Sequence, residues 1–233
     1  MSKNLIEMLV KVNHILANEG VVDAFGHISH RHPDNPDRYL LSCSRSPELV
    51  QEEDIMEFQL DGTPVDARGR KPYLERYIHG AVYARRPDIQ SVVHNHAYEV
   101  LPYSVTGTPL KPILHTAGRI GENIPVWDIH EHFGDTNLLV TNNEQGNSLA
   151  DALGDSYVAL MRGHGCVVAG INLQEAVLTA VYLVVNARIQ QQAMQLGDVT
   201  YLTSGEADLN SQLNQPPVAT ERAWEYLLKR VQD

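Results

Sequence analysis

The stretch Ser91-Val92-Val93-His94-Asn95-His96 decides how this chain reads. Apolar and β-branched residues lead into two histidines two positions apart, which is the make-up of a short buried strand. Side chains alternate along a strand, so His94 and His96 share a face. Two imidazoles on one face can chelate a divalent metal through their lone pairs. A strand-capping histidine beside a hydrogen-bonded surface one would give the same spacing. The pair therefore needs partners elsewhere.

Upstream, residues 73–86 read as a helix that stops at Pro87-Asp88. Glu75, His79 and Tyr83 fall on one stripe of it. A glutamate in a first turn also suits the helix macrodipole, and His79 reads as a packing or hydrogen-bonding residue rather than a ligand. Downstream, residues 157–161 and 166–169 read as two strands joined by Arg162-Gly163-His164-Gly165. Hairpin tips usually carry Asn, Asp or Ser beside Gly. A histidine between two glycines reads instead as a third imidazole projected from a sharp turn. Three histidine ligands leave coordination positions open, the pattern of a catalytic rather than a structural site.

The remaining chain supplies a scaffold. Residues 5–19 form an amphipathic helix ended by Gly20, residues 39–42 and 55–60 are strand-like, and residues 124–127 make a short strand. Residues 102–112 read as loop with some β character, and residues 115–123 as irregular. Helices follow at 147–153, at 173–196 behind the N-cap Asn172, and at 220–231. Tyr201, beyond the long helix, reads as a core or interface residue. There is no internal repeat or linker, so residues 1–233 read as one α/β domain, a mostly antiparallel sheet covered by helices.

Composition narrows the function. A net charge of −11 argues against non-specific nucleic-acid or acidic-membrane binding. No apolar run reaches membrane-spanning length, and Lys11, Asn13 and His14 interrupt the one N-terminal apolar stretch, against a signal peptide. Cys43 and Cys166 form neither a CxxC pair nor a disulfide framework, so a reducing cytoplasm is expected.

Glu75-x3-His79-x3-Tyr83, Arg86-Pro87-Asp88, His94-Asn95-His96, His164-Gly165 and Asn172-Leu173-x-Glu175-Ala176 together resemble the class II aldolase/adducin family over nearly the whole chain. The resemblance implies a three-layer α/β/α fold around a central, mainly antiparallel sheet. It implies one divalent metal ion per subunit, zinc, manganese, iron or cobalt, on His94, His96 and His164. Glu75 would be the acid/base and can also touch the metal. The family usually forms homotetramers with active sites between subunits.

The sequence departs from the family's sugar-phosphate aldolases in three phosphate-cradling places. His27 stands in place of Asn, Ser44-Arg45 in place of Thr-Gly, and Tyr73-Leu74 in place of two serines. These changes argue against a phosphorylated substrate. Arg45 offers a planar fork suited to a carboxylate. With Ser44, His27 and Ser29 it makes up the expected substrate contacts. His115 falls near the aldolases' proton-donating tyrosine and is a second candidate proton carrier. The loops 42–50 and 160–166 resemble a branch of hydroxyaromatic acid decarboxylases, those of 3-hydroxy-2-methylpyridine-4,5-dicarboxylate and 3,4-dihydroxyphthalate. That implies decarboxylation through a metal-stabilised enolate or phenolate. A metal-dependent aldolase or epimerase of an unphosphorylated sugar acid, a non-haem iron oxygenase and a non-catalytic scaffold are the alternatives. Retention of all three histidines and Glu75 counts against the scaffold.

Overall fold

The computed structural model describes residues 3–210 and 217–231. Seven strands form its sheet: β1 (His27–Arg31), β2 (Arg38–Ser42), β3 (Ile55–Gln59), β4 (Ser91–Asn95), β5 (Val126–Trp127), β6 (Val158–Met161) and β7 (Gly165–Gly170). Their spatial order is β3-β2-β1-β4-β7-β6-β5. Every pairing is antiparallel except β5 with β6. The His94 strand is therefore central, between β1 and β7.

Helices cover both faces. In chain order they are α1 (Lys3–Asn18), α2 (Arg76–Arg85), α3 (Leu101–Ser104), α4 (Ile129–Phe133), α5 (Asn143–Leu153), α6 (Leu173–Leu196), α7 (Ser204–Leu209) and α8 (Pro217–Arg230). Strand alternation sorts the core into two layers. Ile28, Val93 and Val168 face α1 and α6, while Val92, Val167 and Ala169 face α2 and α5. Burial on both sides explains why β4 and β7 read as continuous apolar runs rather than alternating ones. His27 and His94, opposite each other in the β1–β4 register, lie on the α2 side.

Several expected boundaries shift. The second helix begins at Arg76, not 73, and Glu75 is its N-cap residue with a non-helical backbone (φ −91°, ψ 17°). Pro72 is bridged to Cys43, which holds the preceding segment extended. The fifth helix begins at Asn143, a turn earlier than expected, because the Asn142 side chain caps it at the Gln145 amide. Residues 115–120, expected to be irregular, form a 3-10 helix. Residues 101–104, at the start of an expected loop, form α3, and the following loop is held by Asn186 and Gln190 of α6, which bond the backbone of residues 109, 111 and 113. Tyr201 packs there, its hydroxyl accepting from Gln190 at 3.4 Å. Among the described residues no helix is long and apolar enough to cross a membrane.

Candidate metal centre and adjoining cavity

His94 is the last but one residue of the central strand, and His96 follows immediately beyond its end at Asn95. His164 arrives from the turn between β6 and β7. Gly163 adopts φ +65° there, a value that a β-carbon disfavours. Gly165 lies so close to β4 that an added β-carbon would sit 2.0 Å from the Asn95 carbonyl oxygen. Those two glycines let the turn press His164 against the end of β4. Glu75 comes from the start of α2, its Oε1 accepting from the Val140 amide at 3.0 Å.

The four side chains converge. One ligand atom from each of Glu75, His94, His96 and His164 lies within 4.8 Å of all the others. His96 Nε2 is 3.0 Å from both His94 Nε2 and His164 Nε2. Glu75 Oε2 is 3.4 Å from His94 Nε2 and 3.5 Å from His164 Nε2.

The far side of each ring tests whether the set fits a metal. His94 Nδ1 faces the Cys166 carbonyl at 3.1 Å, and His164 Nδ1 faces the Leu138 carbonyl at 2.9 Å. A carbonyl only accepts, so both Nδ1 atoms carry the proton, and each neutral ring presents a bare Nε2 lone pair inward. Two inward lone pairs meet a third nitrogen and a carboxylate oxygen. His96 can donate a single proton to that group. A divalent cation satisfies all four donors at once, and the carbonyl-oriented imidazoles match the usual outer support of a metal site. The donor chemistry therefore fits a metal.

Leu138, whose carbonyl orients His164, has φ +65°, a value unusual for a leucine. The 138–140 segment thus aims a carbonyl at His164 and an amide at Glu75. Sequence reading missed this contribution. A Thr136-Asn137 pair does signal a turn, with both side chains bonding the backbone two residues on. Backbone groups, however, carry no residue-type signature.

Charge agrees with the geometry. Burial alone would raise the pKa of Glu75, but positive charge at the facing His94 and His164 positions, which a bound cation supplies when the rings are neutral, outweighs it and holds the carboxyl well below the usual range. Burial, then the neighbouring His94 and His164, lowers His96 to about 4. Neutral imidazoles and an ionised carboxylate are the ligating forms.

Beside the donor set opens a cavity of about 440 Å³, within the size range of small-molecule sites. Phe25, His27, Ser44, Arg45, Tyr73 and His96 are among its walls, and Glu75 also lines it. Arg45 is only loosely paired with Asp54, at 3.4 Å, and among the described residues most of its donors have no other partner. Asp54 is already engaged by the Gln51 amide. The Tyr73 hydroxyl donates to the Arg45 carbonyl and steadies that loop.

Two expected site residues lie elsewhere. Ser29 is fully buried and is not among the residues that line the cavity. The β1 register turns it under α2, where its Oγ meets His79 Nδ1 at 2.6 Å and the Tyr83 hydroxyl at 2.7 Å. His115 does not join the metal cluster within one protomer. Its 3-10 helix places it in a different cavity, with Arg119 of the same turn, Tyr182 of α6 and Tyr226 of α8. His79 is fully buried and lowered to about 3, by burial and then by His94. It bonds His27 Nδ1 at 2.6 Å, so it supports the site from behind.

An α/β fold whose central strand ends in a three-histidine, one-carboxylate donor set beside a ligand-sized cavity defines the class, an α/β protein with a candidate catalytic metal centre. Residues 7–191 match the family described as Class II Aldolase and Adducin N-terminal domain, and the chain belongs to that family. Decarboxylase tropJ of Talaromyces stipitatus is 34% identical, over 94% of this chain and 91% of its own length. The 3,4-dihydroxyphthalate decarboxylase of Arthrobacter keyseri is 28% identical, over 93% and 90%. Among solved structures, the L-fuculose 1-phosphate aldolase of Glaciozyma antarctica shares the fold, with a TM-score of 0.76, 22% identity and coverage of 97% of this chain and 87% of that one.

Proposed function

We propose that this protein is a divalent-metal-dependent decarboxylase of a hydroxylated aromatic mono- or dicarboxylate. The observation that carries the reading is the cavity itself. Phe25 and Tyr73 give it flat aromatic walls and Arg45 gives it a cation, directly beside the His94, His96, His164 and Glu75 donor set. The similarity to two proteins named as decarboxylases, one of them of a dihydroxyphthalate, supports it.

When bound by these donors, a divalent ion supplies Lewis-acid stabilisation of negative charge on a substrate oxygen, worth several kcal/mol. The chain's own groups do the rest. Arg45 pairs with a ring carboxylate, and Phe25 and Tyr73 hold the ring in one plane, which fixes the orientation of the scissile bond. Glu75, ionised, takes the ring hydroxyl proton on its carboxylate and returns it to the ring carbon that carries the departing carboxylate. The carbon–carbon bond then breaks, CO2 leaves with its electrons returned to the ring, and solvent reprotonates the ring oxygen. A role for His115 in this transfer requires a second copy of the chain, consistent with a homo-oligomer that has sites between subunits.

The test is CO2 release from a panel of hydroxylated aromatic dicarboxylates by enzyme reconstituted with zinc, manganese, iron or cobalt. Sugar acids and oxygen consumption are measured in parallel. Release of CO2 from an ortho-hydroxy acid, lost on chelation, is the expected result. Cleavage of a sugar acid, or oxygen uptake with bound iron, in place of CO2 release would overturn the proposal.

A further inference from the structure

Behind the cavity runs a chain of hydrogen-bonding side chains, with the Val92 backbone beside its His79 and Tyr83 members. Tyr83 and His79 of α2 and Ser29 and His27 of β1 alternate across the helix–sheet gap, and all four are at least 97% buried. The successive contacts are 2.7 Å from the Tyr83 hydroxyl to Ser29 Oγ, 2.6 Å from Ser29 Oγ to His79 Nδ1, and 2.6 Å from His79 Nε2 to His27 Nδ1. Each member is uncharged, so the direction of the chain depends on where each proton sits.

That direction is set at the tyrosine end. The other acceptor near the Tyr83 hydroxyl is the Gln90 carbonyl at 3.5 Å, beyond a normal O–H···O bond. Tyr83 therefore donates to Ser29. Ser29 then has one proton to place, and His79 Nδ1 is its acceptor. A neutral imidazole that accepts at Nδ1 carries its proton on Nε2, so His79 donates to His27 Nδ1. By the same rule His27 carries its proton on Nε2. Among the described residues no protein group bonds that nitrogen, and His27 lines the cavity. The reverse direction would leave the Tyr83 proton with only the 3.5 Å acceptor.

We infer that the buried chain Tyr83–Ser29–His79 locks His27 in the tautomer protonated on Nε2, making it a fixed, uncharged hydrogen-bond donor that selects ligands presenting an oxyanion, such as a ring carboxylate, at that wall. Arg45 and Ser44 add donors to the same cavity. The Glu75 Oε2 acceptor is turned toward His94 and His164. A ligand hydroxyl or amine could still accept from His27, but without the charge that strengthens the bond to a carboxylate. His79, Ser29 and Tyr83 are positioning residues. The ligand half of the inference rests on reading this cavity as the substrate site, whereas the tautomer half does not.

The experiment records long-range 1H–15N correlations of 15N-histidine-labelled, zinc-loaded protein, with the His27 signals assigned by their loss in His27→Gln. The expected pattern is a protonated Nε2 and a bare Nδ1. A proton on Nδ1 overturns the inference. Ser29→Ala removes the donor to His79, so the two His27 nitrogen shifts should move toward each other. Tyr83→Phe removes the donor that sets the direction, leaving Ser29 free to accept from His79 as well as to donate, so the two His27 shifts should move toward each other there too. An unchanged His27 in Ser29→Ala shows that the chain does not set the tautomer and also overturns the inference.

Calorimetric titration with phthalate and with 1,2-benzenedimethanol reads the selection. Phthalate should bind the wild type more tightly than the diol. His27→Gln, which keeps an N–H at similar reach, should stay within about threefold for phthalate, and His27→Leu with full zinc content should lose roughly tenfold or more. Equal phthalate affinity in His27→Leu overturns the ligand half. The tautomer spectrum is read without substrate, so a negative CO2 assay sinks the decarboxylase reading alone. A wrong tautomer sinks this inference alone.

Discussion

Acidification should unfold this protein through His79. The imidazole is fully buried and its pKa is lowered from the usual 6.5 to about 3, burial being the largest cause. In the unfolded chain it titrates normally. As pH falls below about 6.5 the unfolded state takes up a proton that the folded state refuses, so stability is present above that pH and is lost as pH falls from about 6.5 toward 3. Between pH 7 and pH 5 this one group costs about 2 kcal/mol, from a unit-by-unit value of about 1.4 kcal/mol. The pKa of His27 is also lowered, by burial and then by His79 and His94, and adds in the same direction. The assay is urea unfolding at pH 7, 6 and 5 of the wild type and of His79→Gln, both without metal. The variant is expected to be less stable at pH 7, since it breaks the bonds to Ser29 and His27. Its loss between pH 7 and 5 should nevertheless be smaller than the wild type's by about 2 kcal/mol. Equal pH dependence in the two proteins would refute the reasoning.

Further outcomes follow from the same geometry. His94→Ala and His164→Ala should each lose bound metal, read by elemental analysis, together with CO2 release; full activity in metal-free protein would contradict the assigned donor set. Arg45→Leu should leave metal content unchanged and raise KM for the aromatic acid by roughly tenfold or more, the loss of a charge-assisted bond. Gly165→Ala forces a β-carbon to within 2.0 Å of the Asn95 carbonyl oxygen, so it should destabilise the fold by roughly 1–3 kcal/mol or more and weaken metal binding as the β4–β7 contact opens. Glu175→Gln strands the buried Arg119 guanidinium, now 3.0 Å from the carboxylate, and should cost about 3–5 kcal/mol in urea unfolding.

What the sequence determined by itself was the periodic and chemically distinctive part. Val92 and Val93 before His94 mark a strand buried on both faces, and Asn172 marks the start of α6, because apolar periodicity and caps are local properties. The glycines flanking His164 likewise announced a sharp turn with an unusual side chain in it. Only the tertiary structure decided which polar residues meet. Ser29 and His27 sit two apart on β1 with the same alternation, yet α2 covers Ser29 and leaves His27 on the cavity, and nothing in the five-residue strand records where a helix some fifty residues away will pack. The support from Leu138 and Val140 comes from backbone groups that any residue carries, so it was invisible in the chain's letters. His115 stood near the right place by counting along the sequence, but a 3-10 turn fixed by packing against α6 and α7 carries it to another cavity. The candidate donor set was legible because its members are rare residue types at fixed spacings. The roles of the residues around it depend on the direction and burial of each side chain, which long-range packing alone sets.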